Sequence, residues 1–263
     1  MLVPALLVVL AYPWLSTSSP EDTLARRIPP PPGYEREAYA EDTFAHWLRH
    51  LPLQPESAPV RLYTGALKPR QDVHAAVLDL DVGTRDLQQC ADAVLRLRTE
   101  YLYARGALGA LRFRFTSGHD FPFTRWAAGE RPRVQGARVT WTTGGRRGAD
   151  HANLRSYLDT LFTYAGTQSL ARDLRRIEVA QLRAGDAFVQ PGAPGHAVLV
   201  VDTARHPRTG ARVFLLAQSY MPAQSVHVLK TPGSASPWYA LDFGEQLHTP
   251  EWTFRRTDLR RFE

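Results

Sequence analysis

Between residues 177 and 241 the chain places five short apolar segments one after another: 186–189, 197–201, 213–217, 226–229 and 238–241. Glycine, proline and polar residues separate them and no helical spacing intervenes, so they read as adjacent strands. The first half has a different rhythm. In 87–103, Leu87, Cys90, Ala91, Val94, Leu97, Tyr101 and Leu102 recur at threes and fours, and Gly106 follows as a stop. Helical spacing returns in 41–51 through Phe44, Trp47, Leu48 and Leu51, and in 153–164 through Leu154, Tyr157, Leu158, Leu161 and Phe162. A second short helix is expected to run through Leu174, with short strands at 60–66, 75–80 and 111–115. The stretch 121–150 has weak periodicity and reads as loop with some strand. Helices followed by a run of neighbouring strands make an α+β chain.

The amino terminus reads as an address. Residues 2–15, LVPALLVVLAYPWL, form an apolar run followed by Ser16, Thr17, Ser18 and Ser19, which fits a secretory leader. The run is shorter than the ~18–20 residues a spanning helix needs. It lacks a preceding Lys or Arg, and Pro4 and Pro13 interrupt it. The expected layout is a signal peptide or amino-terminal hydrophobic segment over 1–19, a Pro-rich linker over 20–33 containing Pro29 to Pro32, and a single domain over 34–263. The protein is therefore expected to be exported, monomeric and without a stable membrane span after processing.

The formal charge of +6 comes from 32 basic and 26 acidic residues, and only Lys68 and Lys230 of the basic ones are lysines. The arginines are scattered, no tract exceeds a pair and no zinc-finger spacing exists, so no nucleic-acid partner is expected. One cysteine, Cys90, excludes an internal disulfide and a cysteine-rich zinc site. It is a core residue, an intermolecular partner or a reactive thiol.

Three segments bear on that choice. Gln88-Gln89-Cys90-Ala91-Asp92 puts the thiol in the first turn of the best helix, where free N–H groups and the helix dipole stabilise a thiolate. The neighbouring glutamine amides have the chemistry of oxyanion donors. The competing reading is that Cys90 simply lies on the apolar face. In 182–201, a turn through Gly185 and Asp186 delivers one strand, a glycine-rich loop follows, and His196 opens the next strand as a proton-exchanging group. In 214–222, FLLAQSYMP, an apolar strand ends in polar residues. If it pairs with the His196 strand through the turn at 207–210, alternation lets His196, Gln218 and Tyr220 share a face. Asp202 has the same parity but lies ~20 Å up the strand at ~3.3 Å per residue, and is discounted.

The order of cysteine at a helix start, L-x-x-G-D, G-H-hydrophobic on a strand and a polar residue on the next strand resembles the papain-like cysteine hydrolases of bacterial envelopes, the NlpC-type and YiiX-like group. The resemblance implies an α+β papain-like core, with the helix-borne cysteine packed on an antiparallel sheet. It also implies Cys90 as nucleophile, His196 as general base and acid, Gln218 as the orienting residue, and Gln89 or Gln88 as oxyanion donor. In 88–103, 156–170, 195–202, 214–229 and 249–254 the chain is also similar to an uncharacterised bacterial group, domain-of-unknown-function family 4846, over about 27–263. That family brings no activity with it. The Cys–His gap is long, and glutamine stands where the hydrolases carry His, Asn or Asp.

The function expected on this basis is thiol-dependent hydrolysis or transfer of an amide through an acyl-enzyme, with peptide or peptidoglycan-like substrate. Gln88, Trp126 and Tyr220 would contact it. No cofactor and no metal is expected: Asp79-Leu80-Asp81 reads as a turn, and His196, His227 and His248 lack short ligand spacing. A serine hydrolase has no G-x-S-x-G elbow around Ser219, and Gly144 to Gly148 is no P-loop. The alternative from another class is a non-catalytic envelope module binding glycan or peptide through Trp126, Trp141, Trp238, Tyr239 and Trp252. The enzyme requires Cys90 and His196 within hydrogen-bond reach beside a cleft. The module requires an aromatic strip and a buried Cys90.

Overall fold

The computed structural model describes residues 12–15 and 21–263. Its helices are α1 (Leu24–Arg27), α2 (Phe44–Arg49), α3 (Cys90–Ala104), α4 (Phe123–Ala127), α5 (His151–Tyr164) and α6 (Thr167–Asp173). The strands of the first half are β1 (Glu35–Arg36), β2 (His74–Val77), β3 (Arg112–Arg114), β4 (Asp120–Pro122), β5 (Arg131–Gln135), β6 (Arg138–Thr142) and β7 (Arg175–Arg176). Those of the second half are β8 (Asp186–Gln190), β9 (His196–Arg205), β10 (Arg212–Gln218), β11 (His227–Leu229), β12 (Tyr239–Ala240), β13 (Gln246–His248), β14 (Thr253–Arg255) and β15 (Leu259–Arg261).

One nine-stranded antiparallel sheet runs β2-β11-β10-β9-β8-β15-β7, with β1 paired to β9 and β12 to β10 off that path. β9 is its spine. Ala197, Leu199 and Val201 face the larger core, where α2 and α3 pack, while Val198 and Val200 face a second core with Phe188, Phe214 and Phe254. A strand covered on both faces reads as a continuous apolar run, as 197–201 does. The fold is α+β.

The expected helices and second-half strands lie where periodicity put them, with small shifts. The helix expected over 87–103 starts at Cys90, because Gln89 N–H is held by the Asp92 carboxylate and cannot continue the helix backwards. Residues 60–66, expected as a strand, instead curl into a turn in which Leu62 N–H donates to Ala66 O and Gly65 N–H to Leu62 O. Residues 121–150 contain more order than expected: α4 and the β5–β6 hairpin, whose Val134, Val139 and Trp141 pack on the larger core. Arginine at two of the five residues of β5, Arg131 and Arg133, lowers the apolar contrast on which a periodicity reading depends.

Within the stretch read as linker, Leu24 is fully buried and Ile28 nearly so. Within the leader-like run, Tyr12 is buried and donates its O–H to His50 O (2.6 Å), and Trp14 packs edge-on to Trp47. Cleavage behind residue 19 would remove these contacts. Residues 1–11 and 16–20 of that run lie outside the described residues. No helix among the described residues is long and apolar enough to cross a membrane.

Asp202, discounted above, sits near the far end of β9 with no exposure. It accepts from Arg36 Nε (2.7 Å), Arg49 Nε (2.7 Å) and Thr203 N–H (2.9 Å), tying β1 and α2 to the sheet. Removing one partner of such a cluster leaves buried guanidinium groups uncompensated. Asp202→Ala is expected to lower the unfolding free energy by about 3 kcal/mol or more in urea titrations, with little change at the His196 end of the strand.

Candidate functional site

His196 is the first residue of β9 and Gln218 the last of β10, and the register brings them side by side as alternation predicted. His196 Nε2 lies 2.8 Å from Gln218 Oε1. The Tyr220 ring stands edge-on to the imidazole with centroids 4.8 Å apart, and Trp252 (5.1 Å) and Phe254 (5.8 Å) pack on the same ring. His196 and Gln218 are both essentially without exposure.

The direction of each hydrogen bond follows from a residue the sequence reading missed. Glu251 accepts from Lys68 Nζ (2.7 Å) and from Gln218 Nε2 (2.9 Å). A carboxylate in an ion pair only accepts, so the NH2 end of Gln218 faces Glu251 and its carbonyl end faces His196. His196 must therefore carry its proton on Nε2, leaving Nδ1 with a bare lone pair. Nδ1 is buried and has no hydrogen-bond partner. The second N–H of Gln218 points to His227 Nε2 (3.4 Å), whose Nδ1–H donates to Ser225 O (2.9 Å). Burial pushes His196 down to about 4 and His227 to about 3, so both rings are neutral at pH 7.

Cys90 occupies the first position of α3, as predicted, and is 4% exposed. Its Sγ lies 4.0 Å from Gly195 O, the carbonyl directly before His196. No hydrogen bond joins the thiol to the His196 ring. The expectation of a lowered thiol pKa is also corrected. Burial pushes Cys90 up to about 11, outweighing the N–H groups of Ala197, Ala91 and Cys90 itself, and the Asp92 charge acts in the same direction as burial. A Cβ at Gly195 would collide with Thr167 Oγ1, Gly192 N and Gln190 O, so the loop before β9 folds back on itself and against the start of α6 only with glycine there.

The other predicted residues divide. Tyr220 belongs to the cluster: it is half-buried, and its O–H donates to Glu251 O (3.4 Å). Gln89 turns its amide to Asp86 Oδ1 (3.0 Å). Gln88 is buried and fully engaged, accepting from Arg96 Nη1 (2.9 Å) and donating to Asp81 O (3.0 Å), so its side chain holds α3 to the preceding loop. Trp126 is a correction. Its N–H donates to Asn153 Oδ1 (2.9 Å), its ring packs on Phe121 and Tyr157, and the Arg131 guanidinium covers it, so it is core of the α4–α5 layer. Nor do the tryptophans form one strip: Trp238 is buried against Pro29 O, and only Trp252 reaches His196.

Trp252 is anchored by its N–H to Gln190 Oε1 (2.8 Å), and a shallow groove lined by Arg70, Gln190, Glu251, Trp252 and Thr253 runs along its outer side. A sequence signal for two of the missed residues existed. Glu251 lies in the TPEWTF segment, and Lys68 is one of two lysines in an arginine-rich chain.

The family model described as Domain of unknown function (4846) matches residues 24–261. The chain belongs to this family. Comparison with curated proteins and with solved structures gives no match. In this member of family 4846, four of the five segments that carried the resemblance contribute to the region around His196 and Cys90, namely α3, the opening of β9, the end of β10 and the turn before β14, while 156–170 lies in α5 and α6.

The neutral imidazoles set a pH dependence. Both groups have folded values well below the ordinary 6.5, so on acidification the unfolded chain takes up protons first. Their contribution is complete above about pH 6.5 and is lost as pH falls through 4. Thermal melts between pH 8 and 4 are expected to show a fall in Tm beginning below pH 6.5, reduced in His227→Leu. An unchanged Tm down to pH 4 would contradict neutral buried rings.

Proposed function

We propose that this protein is a thiol-dependent amide hydrolase or acyltransferase on a papain-like core, with Cys90 as nucleophile and His196 as base and acid. The observation that carries the reading is the bare, buried Nδ1 of His196. Leaving a buried acceptor unpaired costs about 1–3 kcal/mol. Here the Lys68–Glu251–Gln218 chain enforces that state by fixing the tautomer. A ring held in this way presents its free nitrogen as an acceptor, which is the form a general base needs.

In the proposed reaction, the Cys90 side chain turns from Gly195 O toward Nδ1. The S–H proton passes to Nδ1 as Sγ bonds to the substrate carbonyl carbon. Collapse of the tetrahedral intermediate breaks the C–N bond, and the leaving amine takes the proton from Nδ1. Water or a second amine then attacks the thioester, giving its proton to Nδ1, and the thiol is restored on release. Gln218 stabilises the transient imidazolium through Nε2–H, and the first-turn N–H groups of α3 supply the oxyanion contact. The groove beside Trp252, whose ring packs on His196, is the path proposed for an extended peptide. An exported location, read from residues 2–15, makes cell-wall peptides the proposed substrate class.

The burial and raised pKa of Cys90 favour a second reading, a protein of this fold that binds without catalysis. Iodoacetamide labelling of the folded full chain, read by intact mass, separates the two. Catalysis predicts one adduct on Cys90 at pH 7.5, formed at least roughly tenfold more slowly in His196→Ala and His196→Gln. Labelling that appears only in denaturant, or proceeds at the same rate without His196, would overturn the enzyme and leave the binding protein.

A further inference from the structure

A second cavity lies along the middle of α3, eight residues from Cys90 or ~12 Å at 1.5 Å per residue. It encloses about 240 Å3 between α3, β3, α6 and Phe262. Three arginines line it. Arg112 and Arg114 are both paired with Asp120, and Arg114 also reaches Asp173 (3.4 Å). Arg98 has no acidic partner among the described residues. Glu263 lines the same cavity and makes no ion pair with it among those residues. In the depression on the other side of Arg98, Asp186 is taken by Arg261 (2.6 Å) and Asp42 by Arg105 (3.8 Å).

The Arg98 guanidinium instead lies over three rings, Phe44 (5.1 Å), Tyr101 (5.6 Å) and Phe262 (5.3 Å). Ring faces attract the cation and fix its plane, but they do not replace oxygen acceptors for its N–H groups. Burial lowers the Arg98 pKa, and only the Tyr101 charge acts against it. Arg98 lines both depressions, and its half-buried guanidinium, oriented by the rings and without an acidic partner among the described residues, is complementary to a planar anion whose apolar body meets the apolar part of the first cavity's lining.

We propose that this cavity binds a small monocarboxylate, with the carboxylate forked on Arg98 and an aliphatic or aromatic body against Leu95, Leu102, Phe113, Leu170 and Leu174. The binding is non-covalent and independent of the chemistry at Cys90. Phenylacetate fits these dimensions, and phenylacetamide is its uncharged counterpart.

Titration of the full chain by calorimetry is expected to give saturable one-to-one binding of phenylacetate. Affinity should fall at least roughly tenfold for phenylacetamide and in Arg98→Gln, the loss expected of a charge-assisted pair. Arg98→Lys should retain part of it, and Leu170→Trp, which fills the cavity with Arg98 in place, should abolish it. No saturable binding, equal binding of acid and amide, or binding indifferent to Arg98→Gln would overturn the proposal. If Arg98→Gln fails to fold, the comparison of acid with amide on the unmodified chain still decides.

Discussion

The molecule depends on β9 having no wet face. Nine of its ten residues are buried, so it requires a layer on each side and a partner on each edge. β8 and β10 supply the edges, α2 and α3 one layer, and the β13–β14 hairpin with the aromatics of β8 and β10 the other. The polar residues that β9 does carry must then be neutralised where they stand. Asp202 near one end holds two arginines, and His196 at the other end meets Gln218. Each end of the strand is therefore a fixed polar cluster, and each gathers chain segments far apart in sequence.

The His196 cluster shows how little freedom such an arrangement has. Lys68 fixes the ionised Glu251, Glu251 fixes which end of Gln218 faces the histidine, and Gln218 fixes the proton on the ring. His227 closes the remaining valence through Ser225 O. Each hydrogen bond from Lys68 through to Ser225 O has its direction set, and Nδ1 of His196 is left buried without a partner. The rigidity of the rest is the reason that one vacancy carries chemical meaning. Cys90 comes from the opposite layer, its thiol 4.0 Å from the carbonyl of Gly195 at the end of the loop before β9.

What the sequence made legible was what depends on neighbours in sequence. Helical spacing placed α3 and α5, and two-residue alternation paired His196 with Gln218 across a turn. The position of Cys90 at a helix start was readable too, but its environment was not. Whether a first-turn thiol is wet depends on how residues 192–197 fold over it, and burial reversed the pKa direction that the helix end alone implies. Glu251 was invisible for a related reason: a carboxylate 33 residues beyond Gln218 acquires its role only when β13 and β14 fold back over the sheet. Trp126 misled because nothing local distinguishes an aromatic that lines a groove from one that fills a layer. The same limit applied to Leu24 and Ile28, whose short segment has too few residues to show a period but packs into the core.

The sheet also has an end. Beyond β15 it finishes at β7, two residues long, whose Arg175 and Arg176 are both exposed. Large sheets invite a further strand to add to an open rim, which is how partly folded chains template one another. Here a newcomer would find two residues of free backbone flanked by two guanidinium groups, with little to pair and a charge to approach. That rim is a guard against misassembly, and one a chain so rich in arginine supplies with its commonest cation.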